Sequence, residues 1–411
     1  MLQASGPSIL MTQQSDDQCY SSSVPTSSGR NWLYSPKLRG IASQLVVLML
    51  LAWGLYWIGA NTQANLLKLN QNFGFDFLNK ASGFDLSTSL IQYSSDSTFS
   101  RALLAGFFNT ALISVLGIIF ATIIGFIVGV MRLSKNLVIS SAATIYIEII
   151  RNIPLLLQIF IWYALVLKPL PGPKQAINIS DTVFISNRGI ITPHVTFGEG
   201  GWISVALLVA ALIGTWLFRI WSWKRQEATG QILPVWWISI PIIVAAPILG
   251  LLVAGWPLTW DYPVLAGFNF KGGMTLVPEF IALFLALVIY TATFIAEIVR
   301  SGIIAVSHGQ SEASHALGLD NGKTLRLVVI PQAMRIIIPP LTSQYLNLTK
   351  NSSLAVAVGY PDLMYAAGTV NNQSGKAIEV YSIVLIVYLT TSLVTSLLMN
   401  WFNARMKLVE R

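Results

Sequence analysis

Long stretches without a single charged side chain are the feature that most constrains this chain. Three of them, residues 102–131, 228–260 and 380–404, are each long enough to cross the ~30 Å hydrocarbon layer of a membrane as a helix. Because hydrophobic residues make up 54% of the chain and charged residues only 10%, too little charge is present to cover a soluble globule. The chain is therefore expected to lie in a bilayer.

Further stretches are apolar enough to extend the set of spans. They are residues 43–60, 138–166, 202–218, 280–296 and 336–357, of which the second and the last carry polar residues. Together with the first three stretches they bring the total to about eight spans. The sequence thus predicts an all-α, polytopic membrane protein with about eight transmembrane helices.

Basic residues indicate the orientation, because loops rich in lysine and arginine stay in the cytoplasm. Arg30, Lys37 and Arg39 precede the first span. If the N-terminus is cytoplasmic, every basic cluster near a helix end lies inside, including the segments 300–335 and 405–411. The net charge of +8 is then a signal of topology and implies no nucleic-acid partner.

Cysteine and histidine give no sign of a metal or catalytic centre. Cys19 is the only cysteine, so the sequence offers neither a disulfide framework nor a sulfur metal site. The histidines, at positions 194, 308 and 315, do not form a ligand cluster. Because no nucleophile with a paired base stands out either, a membrane enzyme is an unfavourable interpretation.

The stretch HGQSEASHALGLDNGKT, residues 308–324, almost spells a nucleotide-binding loop. Such a loop needs four residues between its first glycine and its Gly-Lys-Thr, whereas Gly318 and Gly322 enclose only three. A nucleotide-binding loop also follows a buried strand, whereas the residues before Gly318 in this chain are predicted to form a short polar helix. The stretch therefore needs an explanation other than ATP binding.

Polar side chains recur at helical spacing inside three predicted spans, so that each set lies on one helix face. The sets are Tyr290, Thr293 and Glu297; Gln344, Asn347 and Asn351 with Lys350 beside them; and Glu148 with Arg151 or Asn152. Asn109 in the second span and Ser352, next to Asn351, join these candidates. Such residues are expected to line a substrate path. The alternative is that buried hydrogen bonds from these residues tie the helices together.

Prolines favour the path for two of these residues. Gln344 and Asn347 lie deep in a span that contains Pro339 and Pro340. The prolines leave backbone carbonyl groups without partners, which is tolerated where a helix lines a cavity. The two glutamates of the sets lie near predicted cytoplasmic ends, where a charge costs little, and for them both interpretations stay open.

The segment 290–363 resembles the permeases of binding-protein-dependent ABC importers, in the histidine and polar amino acid branch. Its centre is similar to the cytoplasmic EAA loop of that family, here Glu312, Ala313 and Ser314 followed by Gly318. The family usually has alanine where this chain has Ser314, and a small side chain still fits a close helix contact. The stretches FFNTALISVLG at 107–117 and EIIRNIPLLLQIFIWY at 148–163 are similar to the same branch.

The resemblance implies a type I importer core of five helices. These match residues 102–131, 138–166, 279–300, 335–357 and 378–402. Three spans are then extra, namely the first helix and the inserted pair at 202–256. With these extra helices the chain looks like the larger permease of the general L-amino acid systems of bacteria.

The chain divides accordingly into six parts. They are a disordered cytoplasmic tail (1–40), an extra N-terminal transmembrane helix (41–60), a periplasmic loop (61–100), the first part of the permease core (101–166), a periplasmic insert with the extra helix pair (167–277), and the second part of the core (278–405), which includes the EAA loop at 302–335.

What the resemblance implies is one subunit of an importer in the bacterial inner membrane. The implied partners are a second related permease chain, two ATP-hydrolysing subunits and a periplasmic amino acid-binding protein, and the implied substrate is an L-amino acid. No cofactor is expected on this chain, since ATP and magnesium belong to the partner ATPase. The inner helix is expected to transmit the closure of the ATPase through Glu312, Ala313, Ser314, Leu317 and Gly318, the last as a left-handed cap.

A rival interpretation from another class is a secondary transporter or channel that works alone on an ion gradient. Its mark in the sequence would be an acidic relay deep in a span, or paired broken helices in two related halves. Neither stands out here.

Overall fold

The structure is a computed structural model that describes residues 36–68, 73–231 and 233–406. Its helices are α1 (Pro36–Lys68), α2 (Phe99–Arg132), α3 (Leu137–Asn152), α4 (Leu155–Phe160), α5 (Gly201–Thr229), α6 (Val235–Val253), α7 (Pro278–Ile304), α8 (His308–Ala316), α9 (Asn321–Thr324), α10 (Ile330–Asn351), α11 (Leu363–Ser374) and α12 (Ala377–Met406). Residues 1–35 of the predicted tail, Cys19 among them, lie outside the described residues.

Seven of the described helices are long and apolar enough to cross a membrane. The bent pair formed by α3 with α4 and the π-helical turn Ile161–Leu167 makes an eighth candidate. The prediction of a mostly helical protein with about eight spans is thereby confirmed. A second π-helical turn, Leu325–Val329, leads into α10, and 3-10 turns occur at Asp76–Asn79, Pro173–Gln175 and Ser352–Val358.

The first helix is longer than the predicted span 41–60. It starts at Pro36, inside the predicted tail, and ends at Lys68, inside the predicted loop 61–100. Its large apolar side chains, Leu48 and Trp53 for example, are exposed within the chain, as befits a helix whose solvent is lipid. α1 belongs to a compact unit of its own, and the rest of the fold begins at Gly74.

The predicted span 138–166 is present as a bent pair of helices, because the helix breaks inside it. α3 ends at Asn152, α4 starts at Leu155, and the two are bent by 102°. Pro154 has no backbone N–H with which to continue the helix, and Ile153 before it is extended, with a ψ of 124°. This part of the core is therefore a broken span.

Small residues let α2 lie close against α7. A methyl group on Gly125 would stand 2.6 Å from the Cβ of Ile295, and one on Gly129 would stand 2.8 Å from the carbonyl oxygen of Ala296. Neither glycine tolerates a side chain while the helices keep this distance. On α7, Ile295 also belongs to the buried cluster that joins α2 and α7 to α10.

The insert between α4 and α7 contains strands that the sequence analysis does not predict. They are β1 (Ile177–Ile179), β2 (Val183–Ser186), β3 (Gly189–Thr192), β4 (His194–Phe197), β5 (Leu258–Asp261), β6 (Val264–Ala266), β7 (Asn269–Lys271) and β8 (Met274–Leu276). One antiparallel sheet has the order β1-β2-β3-β8, while β4 pairs with β5 and β6 with β7.

Strand pairing joins the two ends of the insert around its helix pair. β3, which precedes α5, pairs with β8, which follows α6, so that Ile191 lies opposite Thr275. Between the strands, α5 and α6 pack closely, because a Cβ on Gly250 would stand only 2.5 Å from the Cα of Ser204. The insert is thus a membrane helix pair, and the chain segments that lead into and out of this pair are joined by short strands.

Candidate functional site

The segment between α7 and α10 forms the first candidate site. α7 ends at Ile304, and the short helix predicted within residues 308–324 is present as α8. The side-chain amides of Gln310 on α8 and Gln332 on α10 form a hydrogen bond of 3.0 Å. α8 is therefore tied to α10, the membrane helix that follows this segment.

Gly318 ends α8 in the left-handed conformation predicted for it, with a φ of +80°. Its N–H donates to the carbonyl oxygen of His315 at 2.9 Å, and the N–H of Leu319 donates to that of Ser314 at 3.1 Å. These two bonds form a Schellman motif, which satisfies carbonyl groups that a helix end leaves without partners. The glycine therefore fixes the direction in which the chain leaves α8.

The predicted coupling residues divide between two faces of α8. Ser314 is 3% exposed, and its hydroxyl group donates to the carbonyl oxygen of Ser311 at 2.8 Å. Glu312, Ala313 and Leu317 are exposed, and Leu317 keeps 82% of its surface free. Ser314 thus anchors α8 on its own chain, while the other three residues point away from it.

The near-match to a nucleotide-binding loop is a capped turn at the start of α9. The carboxylate of Asp320 accepts a hydrogen bond from the backbone N–H of Lys323 at 2.8 Å, and its other oxygen lies 3.3 Å from the Lys323 Nζ. Both contacts lower the pKa of Asp320, the backbone hydrogen bond more than the side-chain contact. This carboxylate takes the place that a phosphate would need at the helix N-terminus.

An ion-pair cluster joins the ends of α2 and α7. Glu297, a predicted path residue, forms ion pairs with Arg132 and with Arg300, the second at 3.3 Å. Glu148 and Arg151 on α3 lie within electrostatic range of Arg132. Since two guanidinium groups share its carboxylate, Glu297 holds α2 and α7 together, as the structural alternative requires.

Three further predicted path residues are buried in internal hydrogen bonds. The side-chain amide of Asn109 donates to the carbonyl oxygens of Thr88 and Pro361, at 2.9 and 2.8 Å. The hydroxyl groups of Thr293 and Ser352, both 0% exposed, donate to carbonyl oxygens of the preceding helical turn. Asn109 thus connects two backbone segments, while the two hydroxyl groups bond to the turn just before them. None of the three side chains has a free donor for a substrate.

On α10, by contrast, four of the predicted path residues keep their polar groups free. Gln344 and Asn351 are half-buried, and Asn347 and Lys350 are exposed. Within the described part of the chain, none of these side chains forms a hydrogen bond or an ion pair. α10 therefore offers amide and ammonium groups that a ligand can bind.

A second group lies where α3 meets α7. The guanidinium of Arg151 lies 4.9 Å from the centre of the Phe294 ring, which is itself 4.9 Å from the Tyr290 ring. Glu148 is exposed, and the amide of Asn152 donates to the Glu148 carbonyl oxygen at 2.8 Å. Arg151 and Tyr290 thus both contact the ring of Phe294.

Gln158 is a buried residue that the sequence analysis missed. It is 4% exposed, and its Nε2 donates to the carbonyl oxygens of Ile150 and Ile153, at 2.8 and 2.9 Å. In an unbroken helix the N–H of residue 154 would bond to Ile150, but Pro154 has no N–H. Gln158 supplies the missing donor. The available signal is a glutamine four residues after a proline inside an apolar span.

Asp362 is a second buried polar residue outside the predicted sets. Its side chain is 0% exposed, and its Oδ1 caps α11 by accepting a 2.8 Å hydrogen bond from the N–H of Tyr365. Its Oδ2 has no hydrogen-bond partner among the described residues. Burial raises the pKa of Asp362 to about 7, so this carboxyl group takes up a proton near neutral pH.

Comparison with known proteins shows relatives along almost the whole chain. The family described as "Binding-protein-dependent transport system inner membrane component" matches residues 228–408. The general L-amino acid transport system permease protein AapQ of Rhizobium johnstonii is 51% identical over 93% of this chain and 96% of that protein. The putative amino-acid ABC transporter permease protein YhdX of Escherichia coli is 48% identical over 92% of this chain and 96% of that protein.

A third relative and a solved structure are also named as amino acid transport proteins. BztB of Rhodobacter capsulatus, a glutamate/glutamine/aspartate/asparagine transport system permease protein, is 43% identical over 92% of this chain and 96% of that protein. A crystal structure of an amino acid ABC transporter with histidines is 20% identical, has a TM-score of 0.44, and covers 75% of this chain and 95% of that one. On the strength of the sequence relatives, the chain belongs to the family of binding-protein-dependent transport system inner membrane components, as a multi-pass permease of its amino acid ABC transporter branch.

Proposed function

We propose that this chain carries L-amino acids across the bacterial inner membrane as the permease subunit of an ABC importer. The observation that carries the proposal is the 51% identity with a general L-amino acid permease over 93% of the chain. The names of the relatives share amino acids as a class and differ in which amino acids they specify. The proposed substrate is therefore the class of L-amino acids.

α8 is proposed to dock in a groove of the ATPase subunit. The exposed face of α8 with Glu312 and Leu317 supports this docking, because a partner surface can cover it. The rigid cap at Gly318 and the bond between Gln310 and Gln332 would pass a movement of α8 on to α10. ATP and magnesium then bind to the ATPase, and this chain only responds to the hydrolysis of the ATP.

The end of the molecule that carries α8 is proposed to face the cytoplasm, together with the N-terminus. Lys135, Arg300, Lys323 and Arg326 collect there, and loops rich in such residues remain inside. The strands of the insert then face the periplasm, where the amino acid-binding protein delivers its ligand.

A second, related permease chain is proposed to complete the membrane part. GltJ and GltK of Escherichia coli, both named glutamate/aspartate import permease protein, are similar to this chain. This supports a pair of two different permeases over a pair of identical ones.

The substrate path is proposed to run along α10. A zwitterionic amino acid needs a cationic and an anionic partner where water is scarce, because an unpaired charge is costly to bury. Lys350 and Arg151 suit the carboxylate, Glu148 suits the ammonium group, and the free amides of Gln344 and Asn347 would orient the molecule.

Uptake by variants of α10 tests this proposal. Gln344→Ala and Asn347→Ala should each lower ATP-driven uptake of a labelled L-amino acid roughly tenfold, since a hydrogen bond to a charged group is worth about 1.5–3 kcal/mol. The complex should still assemble. Asn372→Ala removes an exposed amide from α11 and should leave uptake unchanged. Normal uptake by both α10 variants would contradict the path.

A further inference from the structure

An apolar groove opens between helix ends in the region that leads into α8. Its volume is about 600 Å³, and it is formed by the ends of α2 and α7, the start of α3 and the first part of α10. Phe126, Val130, Val299, Ile303, Met334 and Ile337 line it. Among the lining residues in the described chain, Ser134 alone has a polar side chain.

The groove opens on a face of the molecule that suits lipid. Val130 lines the groove and is exposed, and Ile127 and Ile123, one and two turns before it on the same face of α2, are also exposed. Water is a poor occupant of this space, because a buried water needs several polar partners. The occupant that suits the groove is therefore an apolar chain.

Basic residues directly flank, along the chain, residues that line this apolar space. Arg132, Lys135 and Arg326 are each next in sequence to a residue that lines the groove. Lys135 and Arg326 are exposed and form no ion pair with the described residues. Arg132 and Arg300 share the single carboxylate of Glu297, which leaves this pair with an excess of positive charge. Exposed positive charge one residue away from the lining is complementary to an anionic head group.

We propose that this groove binds an anionic phospholipid, with an acyl chain among the apolar residues and the phosphate at Lys135 and Arg326. Basic pockets between membrane helices bind the head groups of anionic lipids for the same electrostatic reason. The lipid would fill the space between α2, α3 and α10 and support the segment that holds α8. This inference depends on the membrane-embedded fold and goes beyond the proposed transport function.

Native mass spectrometry of the assembled, detergent-purified complex tests the site. Dioleoyl phosphatidylglycerol and dioleoyl phosphatidylethanolamine are added in equal amounts, and the complex should retain the first in preference. Changing Lys135→Ala and Arg326→Ala together should lower retained phosphatidylglycerol roughly tenfold. The matched control, Lys224→Ala with Arg225→Ala at the end of α5, should leave it unchanged.

A second pair of variants tests the apolar part of the site. Val130→Trp places a bulky side chain at the groove and should lower phosphatidylglycerol retention several-fold, whereas Ile123→Trp, two turns away on the same face, should not. The proposal is overturned if the complex retains both lipids equally, or if the double variant Lys135→Ala with Arg326→Ala, or Val130→Trp, retains as much phosphatidylglycerol as the wild type. It is also overturned if lipid enters only after the partner chains are removed, since a protein segment then occupies the groove. The readout contains no transport step, so its failure is separate from a failure of the proposed function.

Discussion

The side chain of Gln158 shows how a broken membrane helix keeps its backbone groups bonded. The break at Pro154 removes one backbone donor, and the bilayer offers no water to replace it. Gln158 is four residues further on and reaches back to the carbonyl oxygens of Ile150 and Ile153. One buried amide thus satisfies two carbonyl groups at the point where α3 turns into α4.

Replacing Gln158 by leucine should destabilise the protein. The substitution leaves two carbonyl groups unpaired, and each such group costs about 1–3 kcal/mol. The melting temperature of the purified complex should fall by several degrees. Asn152→Ala is the matched control, since its amide also donates to a carbonyl oxygen but lies exposed. A Gln158→Leu complex that melts like the wild type would contradict the capping role.

Asp362 predicts how stability depends on pH. Its folded-state pKa of about 7 is well above the value near 3.9 of a free aspartate. Between these two values the folded state holds a proton that the unfolded state lacks. Stability should therefore fall as the pH rises from about 4 to about 7, with no further loss from this residue above that range.

The variant Asp362→Asn isolates this contribution. The Oδ1 of the asparagine can still accept the hydrogen bond from the N–H of Tyr365, but an amide side chain cannot ionise. We expect the melting temperature of the variant to fall less between pH 5 and pH 8 than that of the wild type, by several degrees. Asp96→Asn, at an exposed position, should keep the wild-type pH dependence. Identical pH profiles for Asp362→Asn and the wild type would refute the buried titration.

Among the elements, α8 depends most on a single conformation. Its last carbonyl groups are satisfied because Gly318 is left-handed, and a side chain there costs roughly 1–2 kcal/mol. The exposed face of α8 changes direction if this cap is lost. The element can transmit movement only while its end is fixed.

Gly318→Val should therefore weaken coupling. We expect the stimulation of ATP hydrolysis by amino acid-loaded binding protein to fall several-fold, while the membrane part still assembles. Gly309→Ala is the matched control, because Gly309 lies in the first turn of α8 without a positive φ, and alanine favours a helix. If Gly318→Val and Gly309→Ala show the same stimulation, the cap has no part in coupling.

Hydropathy predicted which elements cross the membrane but not how each one ends or breaks. A window of apolar residues covers α3 and α4 alike, so it does not report that Pro154 divides them. The strands were missed because each spans only three or four residues, and two of the pairs, β3 with β8 and β4 with β5, also join residues far apart in the chain. Strands this short leave too little alternation of apolar and polar residues for a sequence pattern to show.

Helical spacing likewise identified polar faces without saying what each face meets. Thr293 and Glu297 share a face of α7, as predicted. The hydroxyl group of Thr293, however, donates to a carbonyl oxygen of α7, whereas Glu297 forms an ion pair with Arg132 on α2. Gln344 and Asn347 on α10 have the same kind of spacing and keep their amides free. Only the packing of neighbouring helices separates these two outcomes.

The whole molecule combines a helical core with an inserted helix pair. The core positions the free polar groups of α10 and the exposed face of α8 on one continuous set of helices. Strand pairing closes the insert between α4 and α7 without interrupting that core. In the proposed function, the free energy for transport comes from the ATPase subunits and reaches this chain through α8.

Uptake into proteoliposomes tests this central claim most directly. The chain is reconstituted with its second permease and the ATPase subunits, and labelled L-amino acid is supplied with the binding protein. We predict uptake that requires both ATP and the binding protein and that persists when ionophores dissipate the proton and sodium gradients. Uptake that proceeds without ATP and stops when those gradients are dissipated would contradict the account.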